Sequence, residues 1–128
     1  MNNNHSVFAI RFHLILAVKY RRKAISDGIS GRLKGIFRGI EGNCNIALEG
    51  WSHDMDHVRI SFRGEPNSNV SKFVNAYKSA SSRLIKKGCP SIRPRLHEEA
   101  FWPRSFCLIS TGGASIEAIK KYIESQGG

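Results

Sequence analysis

The segment Ile119-Lys120-Lys121-Tyr122-Ile123-Glu124-Ser125-Gln126 sets a tyrosine and a glutamine four residues apart, on one face of an expected helix. A tyrosine can attack a phosphodiester and keep the bond energy in a covalent phosphotyrosine, so rejoining the strand needs no energy-rich cofactor. Gln126, one turn on, can offer its amide oxygen to a metal ion or its amide N–H to a phosphate. Far upstream, His57-Val58-Arg59 falls in a strand-like run. Residues i and i+2 of a strand point the same way, so His57 and Arg59 share a face while Val58 enters the other. Two histidines so placed would supply two ligands to a divalent ion. Arg59 cannot, because a guanidinium stays protonated and has no lone pair to give. Each pair alone is a weak signal, since a lone helical tyrosine is ordinarily a packing anchor and a His-x-Arg triplet ordinarily structural.

The elements that must position these residues follow from patterning. Val7–Val18 is β-branched, aromatic and aliphatic and reads as a long buried strand, followed by a basic turn over 19–23. Ser26 or Asp27 caps a helix to about Glu41, with Ile29, Leu33, Ile36, Phe37 and Ile40 as its apolar stripe. Strands are expected over Cys44–Trp51 and Val58–Phe62, joined by a polar hairpin. A second helix runs from an Asn69 or Ser71 cap to Lys87, stopped by Gly88 and Pro90. A loop over 89–100 leads to a fourth strand, Phe101–Ser110; Gly112-Gly113 then breaks the chain before a last helix from Ser115. The order is βαββαβ plus a helix. That predicts an α+β, ferredoxin-like (RRM-like) antiparallel sheet with helices on one face and a C-terminal helix carrying Tyr122. The 128 residues are expected to form one domain, 1–128.

The formal net charge of +10 favours a polyanionic partner, nucleic acid first. No basic amphipathic helix with a Trp/Phe/Leu face supports a membrane, and the apolar run near the N-terminus, broken by Arg11 and His13, is too short to span one. Three widely spaced cysteines without a C-x-x-C pair suit a reducing compartment, so a cytoplasmic protein is expected. In the first helix Gly28, Gly31, Gly35, Gly39 and Gly42 line one face. Such a stripe means either close backbone approach to a partner or an eroded solvent face, and the second is preferred.

Several stretches together carry a resemblance. They are His13-Leu14-Ile15-Leu16 with Lys19-Tyr20-Arg21-Arg22-Lys23, Trp51 with Asp56-His57-Val58, Ser71-Lys72-Phe73, and Ser81-Ser82-Arg83. Phe101-Trp102 with Arg104-Ser105-Phe106, the glycine pair and the tyrosine segment complete them. In this order, over nearly the whole chain, the sequence resembles the HUH-type single-tyrosine transposases of small insertion sequences. These are the IS-two-hundred type, within the REP-associated tyrosine transposase superfamily. The resemblance implies a homodimer that recognises single-stranded DNA hairpins at element ends, with Tyr122 attacking the scissile phosphate and staying linked to the 5′ end. It implies a magnesium or manganese ion held by His57, Gln126 and the residue at position 59.

Arg59 departs from that pattern, and three readings follow. The chain is a decayed or repurposed copy that binds hairpins without cutting; or Arg59 itself neutralises the phosphate; or His53 replaces the lost ligand. The first is preferred, because arginine offers no route to leaving-group stabilisation. For DNA contact the candidates are Lys19, Arg21, Arg22, Lys23, Arg83, Lys120 and Lys121, with Lys78 and Lys86 among further cations of the second helix. Tyr20, Trp51 and Trp102 are the rings able to stack on bases, core packing being preferred for both tryptophans. A third class, an RRM-like RNA-binding module, shares the strand order but wants paired aromatics on the first and third strands.

Overall fold

The computed structural model describes residues 10–65, 68–110 and 116–127, with side chains from 121 onward in the last stretch. The first strand, β1, is Ile10–Ala17. The Ser26 hydroxyl accepts the Ile29 N–H at 3.2 Å and starts α1, Asp27–Glu41. The hairpin β2 (Ile46–His53) and β3 (His57–Gly64) follows, with a bulge between Leu48 and Gly50. Asn69 accepts the Lys72 N–H and caps α2, Val70–Gly88. Last come β4 (Cys107–Ser110) and α3 (Ile116–Ser125), the helix that carries Tyr122. The sheet order is β2-β3-β1-β4, with every neighbouring pair antiparallel. This is the expected α+β arrangement.

Strand alternation sorts the two faces. Leu14, Leu16, Val58, Ile60 and Phe62 enter one core with Leu33 and Phe37 of α1 and Phe73, Val74, Tyr77 and Ile85 of α2. Phe37 is its centre, with the rings of Trp51, Phe62, Phe73 and Tyr77 5.0 to 6.4 Å away. The Tyr77 hydroxyl donates to the Leu33 carbonyl at 2.8 Å, satisfying a buried polar group while tying α2 to α1. On the other face Ile15 and Ala17 are just as buried but lie outside that core, where α3 packs on β1. Phe12 and Phe62, the aromatics of β1 and β3, stack on each other on the helix side. The open face therefore has no aromatic pair of the RNA-stacking kind among the described residues.

The fourth strand is shorter than its apolar pattern predicts. Phe101 and Trp102 are buried but outside the sheet. Pro103 lacks the N–H a ladder needs, and side chains satisfy this stretch instead. Trp102 Nε1 donates to Ser81 Oγ at 2.9 Å, and Lys78 Nζ to the Arg104 carbonyl at 2.8 Å. Packing overrides alternation here.

In α1, a Cβ added at Gly31, Gly35 or Gly39 would meet nothing within 4 Å among the described residues. The stripe is a solvent face, and its glycines only weaken the helix. Each Gly→Ala change is expected to raise stability by about 0.5–1 kcal/mol, and the triple change by about 2 kcal/mol. Urea unfolding checks this; a lower midpoint would mean that the stripe packs on something in solution.

Candidate active site

His57 opens β3, and Asp56 just before it is 7% exposed. Asp56 Oδ1 lies 2.8 Å from His57 Nδ1, and Oδ2 accepts Arg21 Nε at 2.9 Å. Burial opposes charge on Asp56. Its hydrogen bonds with His57 and Arg21, and their positive charge, outweigh this and hold its carboxyl below the ordinary value. An ionised carboxylate only accepts, so His57 Nδ1 is the donor of that pair, and Nε2 is the ring nitrogen it leaves uncommitted. Asp56→Ala is expected to lower stability by about 1–3 kcal/mol in urea unfolding, because Arg21 and His57 both lose their partner. An unchanged midpoint would show that this triad holds nothing together.

Arg21 also reaches the tyrosine helix. A Cβ at Gly127 would stand 2.5 Å from Arg21 Cδ, so the arginine stem lies against the backbone just past α3. One side chain thus touches both halves of the site within a single chain.

Tyr122 is half-buried, and its hydroxyl donates to Ser105 Oγ at 3.4 Å. Ser105 Oγ in turn donates to Gln126 Oε1 at 3.4 Å. Burial pushes the Tyr122 phenol above its usual value; the Ser105 hydrogen bond offsets part of this, and the nearby Cys107 adds to it. Burial also pushes the Cys107 thiol up. Register places Cys107, Ile15, Arg59 and Ser52 in one row across the sheet, with Ala17 and His57 in the next alternate row. Two strand spacings, about 10 Å, separate the β4 and β3 backbones. The small Ala17 lies between His57 and the Ser105 end of β4. Tyr122 and Gln126 are joined through Ser105, and His57 is reached across Ala17 and through Arg21.

Arg59 is exposed on this face and lines a cleft of about 320 Å³ with His13, Ile15, Ser52 and Ser61. Arg11 and Arg63 on the same face share Glu49, at 3.2 and 4.0 Å. Arg59 has no carboxylate partner among the described residues. His53 is not a substitute ligand. It pairs in register with Val58, so it faces the helices, and its Nε2 lies 3.0 Å from Asp27 Oδ1. Among the described residues no three His, Cys, Asp or Glu side chains gather to hold a metal. The neutral donors His57 and Gln126, beside a fixed guanidinium, do not fit a hard divalent ion.

Of the expected DNA contacts, Arg22 and Lys23 are exposed on the turn after β1, Lys19 is partly covered, and Arg21 is engaged with Asp56. Arg83 is exposed on α2, in the layer across the sheet from Tyr122, and Lys121 is exposed beside Tyr122; the side chain of Lys120 lies outside the described residues. Lys78 and Lys86 are pinned to the carbonyls of Arg104 and Glu99. Sequence reasoning assigned no role to Asp56 or Ser105, although an acid directly before a strand histidine is a signal for the first.

A family model described as IS200-like transposase matches residues 6–126. The ISDra2 transposase TnpA of Deinococcus radiodurans is 30% identical over 120 residues, 94% of this chain and 86% of that protein. The transposase of insertion sequence IS200 from Salmonella typhimurium is 24% identical over 122 residues, 95% and 80% of the two chains. A crystal structure of a Deinococcus radiodurans protein assigned as a transposase superposes with a TM-score of 0.85 at 28% identity, covering 98% of each chain. A REP-associated tyrosine transposase bound to a REP hairpin gives 0.62 at 9% identity over 97% of this chain and 68% of that one, a likeness of fold.

Proposed function

The chain belongs to the family of IS200-like transposases, and we propose that it nicks and rejoins single-stranded DNA through Tyr122. The observation that carries this reading is the Arg21 side chain, which bonds Asp56 beside His57 and lies against Gly127 beside Gln126. It docks the tyrosine helix on the histidine half of the same chain. In the proposed step Tyr122 Oη attacks the scissile phosphorus and the bond from phosphorus to the 3′ oxygen breaks. The 5′ phosphate stays on the tyrosine, and the departing oxygen takes up a proton. Ser105 Oγ, which receives the phenol's hydrogen bond, is the first acceptor on the path of the proton that Tyr122 loses. Attack by an incoming 3′-hydroxyl on the phosphotyrosine reverses the step and rejoins the strand.

The substrate in this reading is a hairpin-bearing single strand, in keeping with the hairpin bound to the REP-associated fold neighbour, and the working unit is a homodimer. Lys121, Arg22 and Lys23 meet phosphates and make binding fall with salt. Magnesium or manganese enters no step, since the residues present do not fit it. Among the described residues no helix is long and apolar enough to cross a membrane.

A second reading rests on one observation, the guanidinium of Arg59 on the face that carries His57, which has no carboxylate partner among the described residues. It makes the chain a hairpin-binding derivative in which cutting is slow or silent. A labelled hairpin-bearing strand incubated with the protein distinguishes the two. A covalent protein–DNA band supports cutting; tight binding with no band at any time or ion concentration supports the binder.

A further inference from the structure

Three aromatic residues could meet an unpaired base, and the fold accounts for two of them. Trp51 packs on Phe37 and donates Nε1 to Ser30 Oγ at 2.8 Å; Trp102 is buried with its Nε1 on Ser81. Tyr20 is different. The residue is 51% exposed, and among the described residues its one aromatic neighbour is the His97 ring, edge to face at 4.5 Å, with the Lys19 ammonium 5.9 Å from its centroid. A T-shaped partner leaves at least one ring face open.

The backbone beneath it is also unusual. Tyr20 (φ 57°) and Arg21 (φ 52°) are both left-handed, a region that disfavours a side chain such as tyrosine. Lys19 N–H donates to the Phe101 carbonyl at 2.9 Å, Arg21 N–H to Val18 at 2.7 Å, and the Arg21 side chain to Asp56. On the facing loop, Glu98 and Glu99 are left-handed too. Two strained turns therefore hold the exposed Tyr20 ring against the partly buried His97 ring, one residue from the arginine that joins the two halves of the site. A ring held for packing would be buried. This one is interleaved with Lys19, Arg22 and Lys23, the combination that grips a single strand by stacking its bases and neutralising its phosphates.

We propose that Tyr20, backed by His97, is a stacking platform for an unpaired base flanking the scissile phosphate. The proposal rests on the single-stranded DNA reading above and adds a contact to it. The platform is tolerant of sequence, because every base has a π face.

The test uses the full chain carrying Tyr122→Phe, so that the strand stays whole, and hairpin strands with 2-aminopurine placed at successive unpaired positions. Stacking predicts quenching at one or two adjacent positions. Quenching persists in Tyr20→Phe and is lost in Tyr20→Asn, which accepts the left-handed backbone without a ring. Strand affinity falls about ten-fold in Tyr20→Asn. Strand binding with no quenched position overturns the platform whatever the variants do, and so do quenching and affinity that survive in Tyr20→Asn. A chain that binds no single strand at all overturns both the platform and the DNA-cutting reading.

Discussion

Replacing Tyr122 with phenylalanine is expected to abolish the covalent protein–DNA product, a loss of about 10⁴-fold or more, while strand binding stays within about two-fold. The substitution removes one oxygen and little else. Among the described residues the lost hydroxyl bonds Ser105 alone, at 3.4 Å, so the half-buried ring keeps its packing and the fold stands. The same geometry sets a pH trend. With the phenol raised above its ordinary value by burial, the reactive phenolate is scarce at neutral pH. Adduct formation should therefore climb as pH rises, up to and past the usual phenol range near about 10. A product that persists in Tyr122→Phe, or a rate flat between neutral and alkaline pH, would place the nucleophile elsewhere.

Replacing Arg59 with histidine is expected to act in the opposite direction. The change puts a second imidazole on the face of β3 that already carries His57, two residues away, and removes a fixed positive charge. With Gln126 oriented from α3, the donor set then suits a divalent ion. Adduct formation should rise by at least about 100-fold and become dependent on manganese or magnesium. The sign of the effect separates the readings of Arg59. If its guanidinium itself steadies the scissile phosphate, Arg59→His lowers the rate in the absence of metal. If the chain is a binder with other lesions, the rate stays at background.

The fold was legible because its elements carry local signals that tertiary packing did not contradict. Ser26 and Asn69 cap the two helices as their side chains predict, and Val58, Ile60 and Phe62 of β3 alternate in step with the two faces. Phe101–Phe106 departs from its strand-like pattern because an apolar, aromatic run looks the same whether it pairs in a sheet or inserts into a core. Pro103 and the buried Trp102–Ser81 bond decide for insertion. In the candidate site, Tyr122, Gln126 and His57 are proposed from residue type and spacing together with the resemblance. What joins them could not be read. The contact of Arg21 with both Asp56 and Gly127 depends on a left-handed turn that no periodicity announces. His53 shows the converse: its nearness in sequence to His57 suggested a replacement ligand, but register turns it to the opposite face.

The central claim is that Tyr122 is the residue that becomes linked to DNA. Its most direct test is mass spectrometry of the protein after reaction with a hairpin-bearing strand, using Arg59→His if the unsubstituted chain reacts too slowly to sample. The expected product is a peptide containing Tyr122 that carries a nucleotide through a 5′-phosphate. A cleaved strand with Tyr122 unmodified, or with the nucleotide on another side chain, would contradict it.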